Sequence, residues 1–300
     1  MKKKTYLFAL MAMALTLGSC SDNENGIGGE TSKYITVSTS IGNMTRVATD
    51  ANGGQTFEEG DEISVYAWTG DATVAPETRE RVVNNAINKL TNGSWVSTPQ
   101  MLWKNNRDKH YFIGVYLTAA ISDLSAGEYT FDANKQTESD LLVAVNKDGL
   151  SYNVDEQQPV PLTFTHVMAK LVVNLTYKNQ WGGIPTVEKV VVGNAAKEAT
   201  VNYLTKVVTP STTAKEDFSL PEITENTKYV SVIIPQEEVT QLTIVIGGKN
   251  FVYDNGTPFK LESGKITTVN LEVGRDEIKL GDVKITDWED GSTFGGEALN

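Results

Sequence analysis

The sequence predicts an all-β protein of two β-sandwich domains in tandem. Apolar residues recur with period two in short runs, turn residues separate those runs, and helical periodicity is nearly missing. A chain of 300 residues is long enough for about two ordinary domains.

The first run is Tyr34-Ile35-Thr36-Val37-Ser38-Thr39-Ser40-Ile41. Ile35, Val37 and Ile41 share one face with Thr39, while Thr36, Ser38 and Ser40 take the other, so the segment reads as a half-buried strand. It runs into Asn43-Met44-Thr45-Arg46, followed by a polar, Gly-rich loop through Gln55. Alternation returns at Ile63, Val65 and Ala67, at Tyr111, Ile113, Val115 and Leu117, and in the apolar run Asp140–Val145, closed by Asn146-Lys147-Asp148-Gly149. In the second half, strands are expected around Leu171–Tyr177, Val187–Val192, Tyr229–Ile234, Leu242–Ile246 and Thr267–Val273. Thr78–Leu90 is the segment with helical potential, weakened by its β-branched and Asn residues. Asp155–Pro161 has no periodicity and two prolines, and it sets the domain boundary, giving residues 34–158 and 159–300.

The N-terminus is an address. Lys2-Lys3-Lys4 precede an apolar run, Tyr6–Leu17, too short to span a bilayer. Leu17-Gly18-Ser19-Cys20 then resembles the lipobox of a bacterial lipoprotein, with residues 1–19 as signal peptide and Cys20 as the lipidated new N-terminus. Cys20 is the single cysteine, so an intrachain disulfide is impossible. Residues 20–33 are polar and Gly-rich, as a tether from a membrane would be. Their acidic start resembles a signal that sends lipoproteins to the outer face of the outer membrane.

Three of the 26 Lys and Arg, and none of the 38 Asp and Glu, lie in residues 1–19, so removing them takes the formal charge from −12 to −15. Such an acidic body argues against nucleic acid as a partner and against electrostatic docking on anionic lipid.

Candidate chemistry is sparse, and no catalytic, metal or cofactor site is assigned. The two histidines, His110 and His166, accompany no Cys/His dyad, zinc spacing or nucleophile elbow, so His166 reads as a structural histidine. Asp50-Ala51-Asn52-Gly53-Gly54 departs from a calcium loop, because the glycine required at the sixth position is Gln55. Glu58-Glu59 and Asp61-Glu62 are dense enough in carboxylate for a glycosidase pair or an irregular calcium site, but acids beside a turn more often form a solvated edge. The five tryptophans are scattered, which favours packing roles over a sugar platform.

Six phrases in order carry a family likeness: Phe57–Ala67, Ser139–Ala144, Pro161–Leu171, Ile233–Gln236, Gly264–Leu271 and Val283–Trp288. Together with the lipobox they resemble the fimbrillin-like lipoproteins of gut and oral anaerobes. The resemblance implies two transthyretin-like Greek-key β-sandwich domains and a non-enzymatic building block of a type V fimbria. It implies export as an outer-membrane lipoprotein exposed at the cell surface. A trypsin-like, Arg-specific protease would then cut after a first strand, and a strand from another fimbrial subunit would take the vacated place. Arg46 stands where the cleaved arginine would be, with Val47 beginning the processed chain.

Burial of Ile35, Val37 and Ile41 supports that reading independently, at roughly 1.5–3 kcal/mol each against a net domain stability of about 5–15 kcal/mol. The replacement strand is sought in Glu277–Trp288, where Ile278 and Leu280 have one parity and Val283 and Ile285 the other. The buried face therefore switches at Gly281-Asp282, as a bulge would permit; the same segment also reads as the closing strand of the second sandwich. A surface glycan-binding lipoprotein is the alternative function, and three or so coplanar surface rings would favour it.

Overall fold

Strands occupy the places where the sequence alternates. The computed structural model describes residues 33–42, 57–116, 119–136, 139–153, 158–239, 241–253 and 258–288. The signal segment, Cys20, and Arg46 with Val47 lie outside the described residues. The first strands are β1 (Val37–Ile41), β2 (Glu62–Thr69), β3 (Arg81–Thr91), β4 (Ser94–Thr98), β5 (His110–Tyr116), β6 (Gly127–Thr130), β7 (Leu142–Leu150) and β8 (Val160–His166). There follow β9 (Ala169–Tyr177), β10 (Val187–Ala196), β11 (Glu198–Asn202), β12 (Val207–Pro210), β13 (Lys215–Ser219), β14 (Glu222–Thr224) and β15 (Lys228–Ile233). The last are β16 (Gln236–Val239), β17 (Leu242–Ile246), β18 (Lys249–Tyr253), β19 (Phe259–Leu261), β20 (Lys265–Val273) and β21 (Ile278–Asp287). The described residues contain no α-helix.

Thr78–Leu90 is a strand rather than a helix. A single 3₁₀ turn, Thr78–Glu80, leads into β3, which pairs with β2 on one side and β4 on the other. Two ladders outweigh a weak local helical preference, and the β-branched Val82, Val83 and Ile87 suit a pleated surface. Asn85 sits at φ 53° where the β2–β3 register shifts, and its side-chain oxygen accepts the Tyr66 hydroxyl at 3.0 Å. Asn tolerates this left-handed backbone, so the residue that weakens a helix serves a bulge.

A seven-stranded sheet has the order β1-β8-β7-β5-β2-β3-β4. Only its β1–β8 pair is parallel. The second half supplies a five-stranded sheet, β14-β15-β9-β20-β21, and a four-stranded sheet, β13-β10-β17-β18. The sequence boundary at 158/159 separates β7 from β8, yet the two are hydrogen-bonded neighbours, Leu142 opposite His166. β6 also crosses that boundary to pair with β11. Composition marked a Pro-containing connection, but strand pairing depends on distant partners that local composition does not report. The described residues from Lys33 to Trp288 fall in one compact unit.

The centre of the seven-stranded sheet, β2 and β5 with the start of β7, is buried on both faces. Ile63, Val65 and Ala67 pack with Phe112, Ala144 and Leu162 on one side, while Tyr66, Trp68, Ile113, Val115 and Val143 join a core shared with Leu171, Val190, Ile244 and Val269 on the other. The sheet curls so that its two margins approach. The Ile35 amide donates to the Met101 carbonyl at 2.9 Å, and the Trp103 amide to the Lys33 carbonyl at 3.1 Å. These bonds place the first strand between β8 and the chain leaving β4.

Candidate functional site

Ile35, Val37 and Ile41 are respectively 2%, 6% and 6% exposed, so the face expected to be buried is buried. They lie in the smaller core with Val160, Leu162 and Phe164 of β8. β1 pairs with β8 from Val37 opposite Val160 to Ile41 opposite Phe164. The Gly42 amide extends this pairing to the Phe164 carbonyl at 2.8 Å, and the Val160 amide extends it to the Thr36 carbonyl at the same distance.

Among the described residues, no strand pairs with the other edge of β1 along Val37–Ile41. It faces a cleft of about 680 Å³ walled by Phe57, Leu90, Gly93, Ser94 and Trp95. One side-chain bond crosses the cleft, from Trp95 Nε1 to Thr39 Oγ1 at 3.0 Å. Phe57 stands edge-on to both Trp95 and Phe164, with centroids 5.3 and 5.2 Å apart. Phe164 crosses β5 at Gly114, where an added Cβ would lie 2.7 Å from the Phe164 ring. Sequence reasoning missed these wall residues. The alternation Val160-Leu162-Phe164 marks a strand, but nothing local names β1 as its neighbour.

The expected replacement strand is β21, the edge of the five-stranded sheet, antiparallel to β20 from Lys265 opposite Asp287 to Val273 opposite Ile278. Leu280 faces Leu271 and Asp282 faces Asn270, which leaves Gly281 as the bulge the parity switch requires. The bulge turns Leu280 and Val283 toward the same core, where both are half-buried. Ile285 remains 38% exposed.

The candidate chemical groups are used structurally. Buried His110 accepts the Lys104 amide on Nε2 at 3.0 Å, with Nδ1 3.1 Å from the Asp108 carbonyl; together these contacts require the neutral ring protonated at Nδ1. Burial lowers its pKa, which maintains that state. His166 Nδ1 is 2.8 Å from Asp140 Oδ2, and its ring stacks on Trp288 with centroids 3.9 Å apart and planes 5° from parallel. Glu59 accepts the Asn92 amide at 2.7 Å, Asp61 accepts the Glu58 amide at 2.7 Å, and Glu62 pairs with Lys89 at 3.1 Å. Asp61 thus closes its own turn, Glu59 caps the turn between β3 and β4, and Glu62 makes a cross-strand ion pair. Among the described residues, no group of three or more His, Cys, Asp and Glu could hold a metal ion. Trp103 meets His110 at 89° and Phe112 at 83°, an arrangement unlike a flat stacking platform.

The described residues thus form an all-β fold whose first strand lies in an apolar groove and pairs along one edge with β8. The chain belongs to the fimbrillin-like family, whose profile matches residues 45–288. A relative in Bacteroides uniformis, the "Putative fimbrium subunit Fim1C", is 25% identical over 324 residues, covering 100% of this chain and 99% of the relative. A "putative cell adhesion protein" from Bacteroides ovatus shares the fold with TM-score 0.63 at 18% identity, over 85% of this chain and 98% of that one. A fimbrial protein from Bacteroides vulgatus matches with TM-score 0.52 at 11% identity, over 84% and 99% of the two chains.

Proposed function

We propose that this protein is a structural subunit of a type V fimbria, displayed at the cell surface and assembled with other fimbrial subunits by strand replacement. The observation that carries the reading is the first strand: Ile35 and the β1 residues Val37 and Ile41 are buried, while among the described residues Val37–Ile41 have one ladder neighbour, β8, and face a cleft along the other edge. Such a strand is removable. Its loss would uncover an apolar groove lined by unpaired backbone, a surface that demands another strand.

In this reading the precursor is exported as an outer-membrane lipoprotein anchored through Cys20, and a trypsin-like protease cuts between Arg46 and Val47. The terminal segment around Val283 and Ile285 then supplies the replacement in a neighbouring subunit. The fold is read as two transthyretin-like sandwiches in tandem, with β8 assigned to the first because its ladders join β1 and β7. The role is adhesive and non-catalytic.

The test is assembly in cells that retain their processing protease. Arg46→Ala is expected to leave a folded monomer and to abolish the heat-labile, high-mass polymer. Deletion from Glu277 is expected to permit cleavage while preventing extension. Polymers formed by Arg46→Ala would overturn the processing step, and polymers formed by the cleaved, truncated chain would overturn the donor assignment.

A further inference from the structure

Two strands that the proposed assembly would move, β1 and β21, are connected through β8. β7 reaches only the last part of β8, pairing Ala144, Val143 and Leu142 with Phe164, Thr165 and His166. Among the described residues, Val160–Thr163 have a strand ladder with β1 alone, supplemented by a side-chain bond from Asn146 Nδ2 of β7 to the Pro161 carbonyl at 3.3 Å. Among the described residues β1 gives the first part of β8 its one ladder, while its final residue, His166, carries the Trp288 ring just beyond the end of β21.

The contact at Trp288 is built from several elements. Its amide donates to the Gly264 carbonyl, in the turn before β20, at 3.1 Å. The Lys170 ammonium lies 5.4 Å from the ring centroid on β9, and Asp140 orients the His166 ring from the entrance to β7. Residues Lys284–Asp287 are otherwise exposed and held at the sheet edge by the β20 ladder. For an edge strand with so few buried side chains, a half-buried indole at its end is a major anchor.

We infer that the Trp288–His166 stack is an autoinhibitory latch, holding the end of β21 in its own sheet while β1 occupies its groove, with β8 coupling the two. Withdrawal of β1 removes the ladder of Val160–Thr163 and one side of Phe164, which pairs with both Ile41 and Ala144, so the end of β8 keeps the β7 ladder alone and its hold on the indole weakens. The terminal strand is thereby released only in a subunit whose own first strand has gone. This inference rests on the proposed strand replacement, to which it adds an order of events.

Hydrogen exchange on the full-length, uncleaved monomer tests it without any polymer. Ile41→Ala loosens β1, with Val37→Ala as the milder variant if the first fails to fold. Either is expected to speed exchange in Val160–Thr163 and at Lys284–Trp288 by about tenfold or more beyond whatever increase global destabilisation gives β10 and β17. Because coupling is reciprocal, Trp288→Ala and His166→Gln are expected to speed exchange in β1 as well as at the end of β21. Variants that loosen only their own strand would overturn the latch. That result is separate from failure of strand replacement, which is read from polymerisation of the chain truncated at Glu277.

Discussion

Trp95 Nε1 donates a hydrogen bond to Thr39 Oγ1 at 3.0 Å, joining β4 to β1 across the open cleft and 56 residues of sequence. The bond fastens the edge of β1 that, among the described residues, has no ladder. A double-mutant cycle with Thr39→Val and Trp95→Phe should give a coupling of about 0.5–1.5 kcal/mol in urea unfolding. Additive losses would show that the bond contributes nothing to the hold on β1.

The two apolar faces considered for strand replacement should respond differently. Ile41 is 6% exposed and Ile285 is 38% exposed. Ile41→Ala should cost about 2–5 kcal/mol in the monomer. Ile285→Ala should change monomer stability by about 0.5 kcal/mol or less, while slowing extension if β21 is the donor. Denaturation of both variants, with polymer length measured for the second, checks the pair.

Gly114 permits the groove floor to form. A methyl group there would meet the Phe164 ring at 2.7 Å, and Phe164 is paired with Ile41. Gly114→Ala should destabilise the protein by about 1–3 kcal/mol through overpacking. Adding Phe164→Leu should recover part of that loss, which thermal and urea unfolding of the double variant would reveal.

Lys170 gives a pH signature. Burial lowers its pKa from 10.5 to about 8 in the folded chain. Between those values the unfolded chain binds the proton that the native chain has released, so this side chain's contribution to stability rises with pH across that window and is lost as pH falls through about 8. From pH 8 to 10 the wild type should gain on the order of 1–2 kcal/mol relative to Lys170→Met. Burial of Tyr177 and Tyr203 raises both to about 12. The unfolded tyrosines ionise near 10, which opposes folding at higher pH and limits the useful range to pH 10 and below. Parallel pH-dependent urea curves for the two proteins provide the check.

Strand positions were readable because period-two burial is written in neighbouring residues. Ile35, Val37 and Ile41 are the clearest case: their alternation names the buried face, and the structure buries it. The parity switch between Leu280 and Val283 likewise announced the bulge at Gly281. Tyr66 and Trp68 were harder, because they occupy the face that simple alternation leaves to solvent, and strands of the second half cover it. Asn146–Gly149 was expected to close the strand, but β7 continues through it to Leu150 with a register shift, Gly149 taking φ 72°.

The sequence by itself determined the all-β class, most strand locations and the apolar face of the first strand, since each follows from the chemistry of residues close in the chain. Only tertiary structure decided that β1 lies parallel to β8, that Trp95 and Phe57 wall its open side, and that Trp288 rests on His166. Those relationships join residues far apart in sequence. Their partners are selected by burial and backbone pairing across the whole sheet, for which a local apolar pattern specifies the need but not the neighbour.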